Sequence, residues 1–155
     1  MYFLARISAG LALALCPVAA TAFDSGGTGY GVSSSEVMPI HDGLVLVKVS
    51  SEYSRFETDD PDSPMASATG PCWGTMVIDQ GVVSGGGNCH YTDADGDMVA
   101  MSWTAQGMSE GRTQGVWEVM GGTGKWANAQ GSGTFNGGGQ GADYTNIVTG
   151  EMTLE

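Results

Sequence analysis

The sequence has little positive charge, and this shortage excludes whole classes of partner. Five Lys and Arg residues stand against 17 Asp and Glu residues, for a formal net charge of −12 over 155 residues. A surface of this sign repels the phosphates of nucleic acids and of anionic lipids. We therefore expect no nucleic-acid partner, and we interpret the acidic surface as a means of staying soluble outside the cytoplasm. Attraction of cations or of basic partners is the alternative.

Long apolar runs are also lacking. The apolar core from Ile7 to Leu15 has about nine residues, whereas a membrane-spanning helix needs about 20. It follows Arg6 and precedes an Ala-Thr-Ala cleavage motif at positions 20–22. This arrangement is typical of an export signal that is cut before Phe23. We expect a periplasmic or secreted protein that is not inserted in a membrane once residues 1–22 are removed.

Helical periodicity is absent after the signal, which excludes an α-helical domain. Short runs rich in β-branched residues alternate with Gly, Pro and Asp, and Leu44 to Tyr53 is the clearest of these strands. Residues 23–42 are rich in Gly and Ser, so we expect a flexible arm that could include an edge strand. Residues 43–155 are predicted to form one β-barrel domain. Its segment 58–69 carries acids and prolines without periodicity and should be a solvated loop.

Cysteine is scarce, and its spacing favours a disulfide over a metal site. Apart from Cys16 in the signal, the chain has only Cys72 and Cys89, which is not a four-ligand zinc pattern. A two-residue turn at Gln80-Gly81 would place the two cysteines opposite each other on neighbouring strands. Because exported compartments are oxidising, we predict a Cys72–Cys89 bridge. Chain-entropy arguments give it roughly 3 kcal/mol of stability.

An acidic segment contains Asp93, Asp95 and Asp97 around Gly96. An EF-hand calcium loop would need Gly at its sixth position and Glu at its twelfth, and counted from Asp93 the chain has neither. We interpret Asp95-Gly96 as a type I′ hairpin turn with solvated acids beside it. Weak calcium binding by the three carboxylates is the alternative. No metal or cofactor is otherwise predicted.

With that turn, three neighbouring strands present a common face. Its members are Trp73, Thr75, Val77, Asn88, His90, Val99, Met101 and Trp103. If this face pointed inward, it would line an apolar pocket with a few polar groups, as small-molecule sites do. We therefore predict a binding site for a small, largely apolar molecule at Trp73, Asn88, His90, Met101 and Trp103. A packed barrel core or a rim cluster is the alternative.

Glu118 is the best single candidate for a general acid or base. It shares a strand face with Val116 and Met120, and burial among them would raise the pKa of its carboxyl group. An outward, solvated Glu118 is the alternative. His90 is the second candidate for proton transfer.

The stretch from Val116 to Phe135 combines an apolar strand, a glycine-rich turn and a second strand. Its turn, Gly-Gly-Thr-Gly-Lys-Trp-Ala-Asn-Ala-Gln-Gly at 121–131, resembles the Gly-Gly-Thr-Gly-x-aromatic-x-x-Ala-x-Gly turn of allene oxide cyclase and dirigent proteins. Those families are eight-stranded antiparallel barrels with a central cavity. They include a fatty-acid epoxide cyclase and proteins that steer phenoxy-radical coupling. The resemblance implies a barrel and an apolar ligand, and it carries no functional residue over. Independently, the glycines permit a tight turn with close chain approach, and we expect Trp126 to pack over one barrel end.

These observations predict an all-β fold, an antiparallel barrel of seven or eight strands that is allene oxide cyclase/dirigent-like and calycin-like. Three functions are consistent with it. The first is binding of a small apolar molecule, and the second is a cyclase or isomerase that uses Glu118 or His90. The third is a structural or partner-binding module without a pocket. The sequence assigns no oligomeric state.

Overall fold

The structure, a computed structural model, describes residues 20–140 and 143–154, with only the backbone of Gln140. Residues 1–19 of the expected export signal lie outside the described part. The described residues form nine strands: β1 (Thr21–Asp24), β2 (Gly27–His41), β3 (Leu44–Thr58), β4 (Gly70–Asp79), β5 (Val82–Thr92), β6 (Met98–Ser109), β7 (Arg112–Gly122), β8 (Gln130–Gln140) and β9 (Asp143–Leu154). Two short 3₁₀ helices, Pro64–Ser67 and Gly124–Trp126, lie between strands. In this part of the chain, no helix has the length and apolar character needed to cross a membrane.

Strands β2 to β9 form a closed antiparallel barrel. Each pairs with the next along the chain, and β9 also pairs with β2, which closes the cylinder. Strands β1 and β2 lie end to end along the same edge of β9, since Asp24 pairs with Glu151 and Gly27 pairs with Val148. The predicted all-β antiparallel barrel is thus confirmed, with eight strands in the cylinder and one short additional strand.

The two barrel ends differ in their connections. At one end lie β1, the segment 59–69, the turn 93–97 and the glycine-rich turn 123–129, and we call this the closed end. At the other end, two-residue turns at 42–43, 80–81 and 110–111 join the strands, and we call this the open end. The segment 59–69 is not simply solvated, since Met65 and Ala68 are buried in the core. The closed end therefore carries nearly all of the longer loops.

The segment expected to be a flexible arm is instead part of the barrel. Strand β2 covers 15 residues, pairs with β3 along nearly its whole length and pairs with β9 from Gly27 to Gly31. Its Gly and Ser residues have weak strand propensity, so the sequence pattern predicted no more than an edge strand within a flexible arm. Pairing with neighbours on both sides supplies the backbone hydrogen bonds, and this context overrides local preference.

The first central hairpin has the predicted register. Cys72 pairs with Cys89 across β4 and β5, and the two form a disulfide. Gln80 and Gly81 have φ values of 50° and 84°, the positive values that a type I′ turn requires at both central positions. The disulfide prediction is therefore confirmed.

The second hairpin has a register that differs by one residue from the prediction, which was wrong here. The loop is Ala94-Asp95-Gly96 rather than Asp95-Gly96, with the Gly96 N–H donating to the Asp93 carbonyl. Asn88 consequently pairs with Ser102 instead of Trp103, and His90 with Ala100. A slip of one residue exchanges the two faces of a strand. The predicted common face is therefore divided between the inside and the outside of the barrel.

Inside the barrel, aromatic rings lie on glycines of neighbouring strands. A Cβ atom added to Gly29 would lie 2.7 Å from Cε1 of Phe56 and 2.8 Å from Cε1 of Tyr53. Gly74 and Gly87 make room in the same way for the ring of Trp103, and Gly150 does so for Trp117. The abundance of glycine thus has a packing reason, because a ring that covers a glycine occupies the space its side chain would fill.

Candidate ligand-binding cavity

The barrel encloses a cavity of about 530 Å³. Most of its wall is apolar, and the larger apolar side chains are Val45, Val47, Val49, Met76, Ile78, Met101, Trp103, Trp117, Phe135, Val148 and Met152. The cavity extends to the open end, where Val37 and Met108 line it while remaining 59% and 45% exposed. These two residues mark the mouth through which a small molecule would enter.

An aromatic cluster forms the wall nearer the closed end. Tyr53 is central to it, stacked on Phe56 at 5.3 Å between ring centroids and edge-to-face with Tyr91 and Tyr144 at 5.7 Å each. Burial raises the pKa of each of these three tyrosine hydroxyls above its usual value. The hydroxyls therefore keep their protons throughout the physiological range and act as neutral hydrogen-bonding groups.

A line of neutral polar groups crosses this wall from β9 to β2. The Asn146 Nδ2 group donates to the Tyr53 hydroxyl at 3.0 Å, which donates to the Tyr144 hydroxyl at 3.4 Å. Burial raises the pKa of the Tyr144 hydroxyl, and the nearby Ser51 hydroxyl partly offsets this rise. The Ser51 hydroxyl donates to Ser33 at 3.0 Å. One side of the cavity is thus polar but uncharged, and the remainder is apolar.

Ionisable groups are almost absent from the wall. Among the lining residues in the described part of the chain there is no Asp, His, Lys or Arg, and the one acid is Glu57. Its exposed carboxylate accepts a hydrogen bond from the Tyr30 hydroxyl at 2.8 Å and pairs with Arg55 at 2.7 Å. The one carboxylate of the wall is therefore already engaged by Tyr30 and Arg55, and no imidazole lines the cavity among the described residues.

The predicted ligand-site residues are separated by the observed register. Met101 and Trp103 line the cavity. Asn88 and His90 are exposed on the outer surface, and the Trp73 ring packs edge-on against His90 at 5.8 Å between centroids. Trp73 is 47% exposed, although the residue also borders the cavity. Three of the five predicted residues thus border the cavity while Asn88 and His90 face outward, and a role in ligand binding stays a prediction.

Glu118 lies on the outside of β7. It is exposed, it pairs with Ser102 and Ser132 on the neighbouring strands, and it does not line the cavity. Its apolar neighbour on the same face, Met120, is itself 64% exposed, so the shared face is a solvated one. This is the outward orientation that the sequence left as the alternative.

The three acids of turn 93–97 contact the glycine-rich turn. Asp93 is buried, and its carboxylate accepts hydrogen bonds from Trp126 Nε1 at 2.9 Å and Lys125 Nζ at 3.0 Å. Asp95 pairs with the same Nζ at 2.6 Å, and Asp97 accepts the backbone N–H of Lys125 at 3.2 Å. Within residues 20–140 and 143–154, no group of three potential metal-binding side chains occurs.

Two opposing effects set the pKa of Asp93. Burial alone would raise it, but the hydrogen bonds from Trp126, from Lys125 and from the backbone N–H groups of Asp95 and Asp97 lower it overall. The carboxylate is therefore charged at neutral pH, and its hydrogen bonds join turn 93–97 to the glycine-rich turn. We call Asp93, Lys125 and Trp126 the clasp. Trp126 packs at a barrel end as predicted, whereas its hydrogen bond to Asp93 was not predicted.

A closed antiparallel barrel of eight strands around an apolar cavity defines the structural class of this protein. Solved structures of the same class include two pterocarpan synthase dirigent proteins, GePTS1 and PsPTS1. GePTS1 shares 13% identity with this chain at a TM-score of 0.52, with 92% of this chain and 97% of the other covered. PsPTS1 shares 12% identity at a TM-score of 0.52, with 87% and 96% covered.

Sequence comparisons add nothing to these structural matches. No protein-family model matches the chain, and no curated protein sequence does. At 12–13% identity, the structural likeness shows the fold. It is the barrel fold of dirigent proteins, which the resemblance of turn 121–131 implied.

Proposed function

We propose that this protein is an exported binding barrel that holds one small, uncharged, largely apolar molecule in its interior. The observation that carries the proposal is the cavity of about 530 Å³ inside the barrel. Sites for small molecules have volumes of about 300–1,000 Å³ and walls that are mostly apolar with a few polar groups. The wall described above has this composition.

The chemistry of the wall supports an uncharged ligand. Apolar surface removed from water contributes about 25 cal/mol per Å², so the methionine, valine and tryptophan side chains provide the main attraction. A charged ligand would lose its hydration, and the one charged group of the wall, Glu57, is already paired with Arg55, so binding such a ligand would be costly. The polar line through Tyr53 and Asn146 would instead orient a neutral molecule.

The disulfide supports the exported location. Disulfides persist in oxidising compartments such as the periplasm and the extracellular space, and they are rare in the cytosol. The Cys72–Cys89 bridge is consistent with the export signal expected in residues 1–22. We therefore place the binding function outside the cytoplasm.

The experiment that tests the proposal is titration with N-phenyl-1-naphthylamine, an uncharged apolar probe whose fluorescence rises in apolar surroundings. We expect saturable binding of one probe per chain. Met101→Ala alters the cavity wall and should weaken binding, whereas Met120→Ala alters a side chain on the outer face that does not line the cavity and serves as the matched control. Absence of saturable binding, or equal weakening in both variants, would contradict the proposal.

Native mass spectrometry of the protein purified from an exporting host would supply an independent measurement. A retained small-molecule mass is the expected result and would indicate the chemical class of the ligand. The cyclase or isomerase alternative has less structural support, because Glu118 and His90 are both exposed on the outer surface. The module without a pocket is disfavoured by the cavity itself.

A further inference from the structure

Part of strand β2 has an unpaired edge. The pairing of β2 with β3 extends to His41, whereas its pairing with β9 ends at Gly31. Among the described residues, the stretch from Val32 to His41 therefore has no neighbouring strand on its second side. In such a strand, every second residue directs its backbone N–H and C=O groups outward. This makes the edge a template on which a further strand can pair.

Little protects this edge from pairing. Natural sheet edges are blunted by charged side chains, by proline, by bulges or by being short. Here Pro39 and the irregular register between Pro39 and His41 affect only the tip of the hairpin. Between Val32 and Met38, Glu36 is the one charged residue. The stretch from Val32 to Met38, which we call the free edge, can therefore accept another strand.

Exposed apolar side chains concentrate at the free edge and just beyond it. Four of the large apolar residues that the described part of the chain exposes lie between positions 32 and 40, namely Val32, Val37, Met38 and Ile40. On the inward side of the strand, Ser33, Ser35 and Val37 line the cavity. Since side chains of paired strands alternate in step, an added strand would direct every second side chain towards the apolar mouth.

The surroundings of the free edge are acidic. Asp42 lies in the turn beyond one end, and Asp143 begins β9 near the other end, where Tyr144 pairs with Gly31. Both carboxylates are exposed. The whole chain has a formal net charge of −12, so two copies repel each other. Like charge thus disfavours pairing of the free edge with a second copy and favours a basic partner.

We propose that the free edge binds an extended basic peptide segment of a partner protein as an additional β-strand. Main-chain hydrogen bonds to β2 provide the affinity, and apolar side chains at alternate positions enter the mouth of the cavity. Lysine or arginine at the ends of the segment meets Asp42 and Asp143. Strand addition with side-chain pockets at alternate positions is a general mode of peptide recognition. This binding goes beyond the proposed small-molecule function and does not depend on it.

The test uses the acetylated and amidated peptide Lys-Val-Thr-Val-Thr-Val-Lys, whose valines share one face of a strand. Isothermal titration calorimetry should show saturable binding. The same peptide, N-methylated at its internal residues, keeps every side chain but loses the main-chain donors. It should bind at least about 30-fold more weakly, because about three hydrogen bonds that each contribute several-fold are lost. Equal binding of the two peptides, or no binding of either, would overturn the proposal.

Two variants with the same change of charge assign the binding to this edge. Val37→Lys adds an inward-pointing charge to the free edge, whereas Val82→Lys adds it at another exposed valine of the open end that does not line the cavity. The affinity for the peptide should fall at least about tenfold in Val37→Lys and less than about threefold in Val82→Lys. Urea unfolding checks that both variants are folded. Equal losses of affinity would overturn the proposal.

Amide hydrogen exchange locates the peptide without any substitution. Binding should slow the exchange of alternate backbone amides between Val32 and Met38, which exchange quickly in the free protein. A peptide that binds without slowing these amides would overturn the proposal. Protection that instead rises with the concentration of the free protein, together with a dimer in analytical ultracentrifugation, would show that a second copy occupies the edge and would also overturn it.

Discussion

The two ends of the barrel are built from different interactions. At the closed end, Trp126 is fully buried and donates to Asp93, and two loops pack over the core. At the open end, two-residue turns join the strands, and apolar side chains such as Val37 and Val82 are 59% and 69% exposed. One end thus closes and stabilises the barrel, while the other leaves the cavity accessible. Stability and binding should then respond to different substitutions.

The largest expected effect is loss of the ring that seals the closed end. Trp126→Ala should lower the free energy of unfolding by about 3–5 kcal/mol, because it removes a fully buried ring and leaves a void. Val82→Ala at the open end should change it by less than about 0.5 kcal/mol. Urea unfolding measures both. Similar losses in the two variants would show that the ends are not different in this respect.

The disulfide lies in the half of the barrel nearer the closed end. Replacing both cysteines, as Cys72→Ala with Cys89→Ala, should cost roughly 3 kcal/mol, because the unfolded chain is no longer constrained by a loop between residues separated by 17 positions. Reduction of the parent protein should produce a comparable loss in urea unfolding. A double variant as stable as the parent protein would contradict this prediction.

The clasp makes the closed end sensitive to acid. Asp93→Asn should cost about 2 kcal/mol at pH 7, as expected for lost hydrogen bonds to a charged group. Because the pKa of Asp93 is lowered by folding, its stabilising effect is present above the pKa of the unfolded chain, about 3.9, and is lost as the pH falls through the folded value. The difference between parent and variant should therefore shrink below about pH 4. Asp95→Asn, at an exposed carboxylate, should cost less than about 1 kcal/mol at any pH.

The smallest effect on stability is expected at the mouth. Met108→Ser should change the free energy of unfolding by less than about 0.5 kcal/mol, because the side chain is 45% exposed. Since Met108 also lines the cavity, the affinity for N-phenyl-1-naphthylamine should fall several-fold. Probe titration and urea unfolding on the same sample separate the two effects. A large loss of stability in Met108→Ser would show that side chains at the open end also stabilise the barrel, contrary to the prediction.

Local signals predicted much of this architecture. A continuous valine-rich apolar run identified β3, and a Gln-Gly turn with two cysteines equidistant from it predicted both a register and a disulfide. The full length of strand β2 was not predicted, because its Gly and Ser residues have weak strand propensity. Pairing with its neighbours rather than its own sequence determines its conformation.

The site was harder to predict because it depends on a single register. Asp93 accepts hydrogen bonds from the backbone N–H groups of Asp95 and Asp97, which stabilises a loop of three residues rather than two. That one additional residue turns Asn88 and His90 outward. The polar line from Asn146 to Ser33 joins strands that are distant in sequence, so no local motif could reveal it.

The pairing of rings with glycines also bears on how such a barrel can diversify. At Gly29, the three nearest atoms to an added Cβ are all ring carbons of Tyr53 and Phe56. A mutation to alanine there would be met by movement of side chains rather than of backbone, and the displaced rings line the cavity. The size of the accepted molecule could thereby change by the volume of one methyl group, through a substitution at a residue that these rings cover. Substitution of such ring-covered glycines would then let related barrels differ in the ligands they bind.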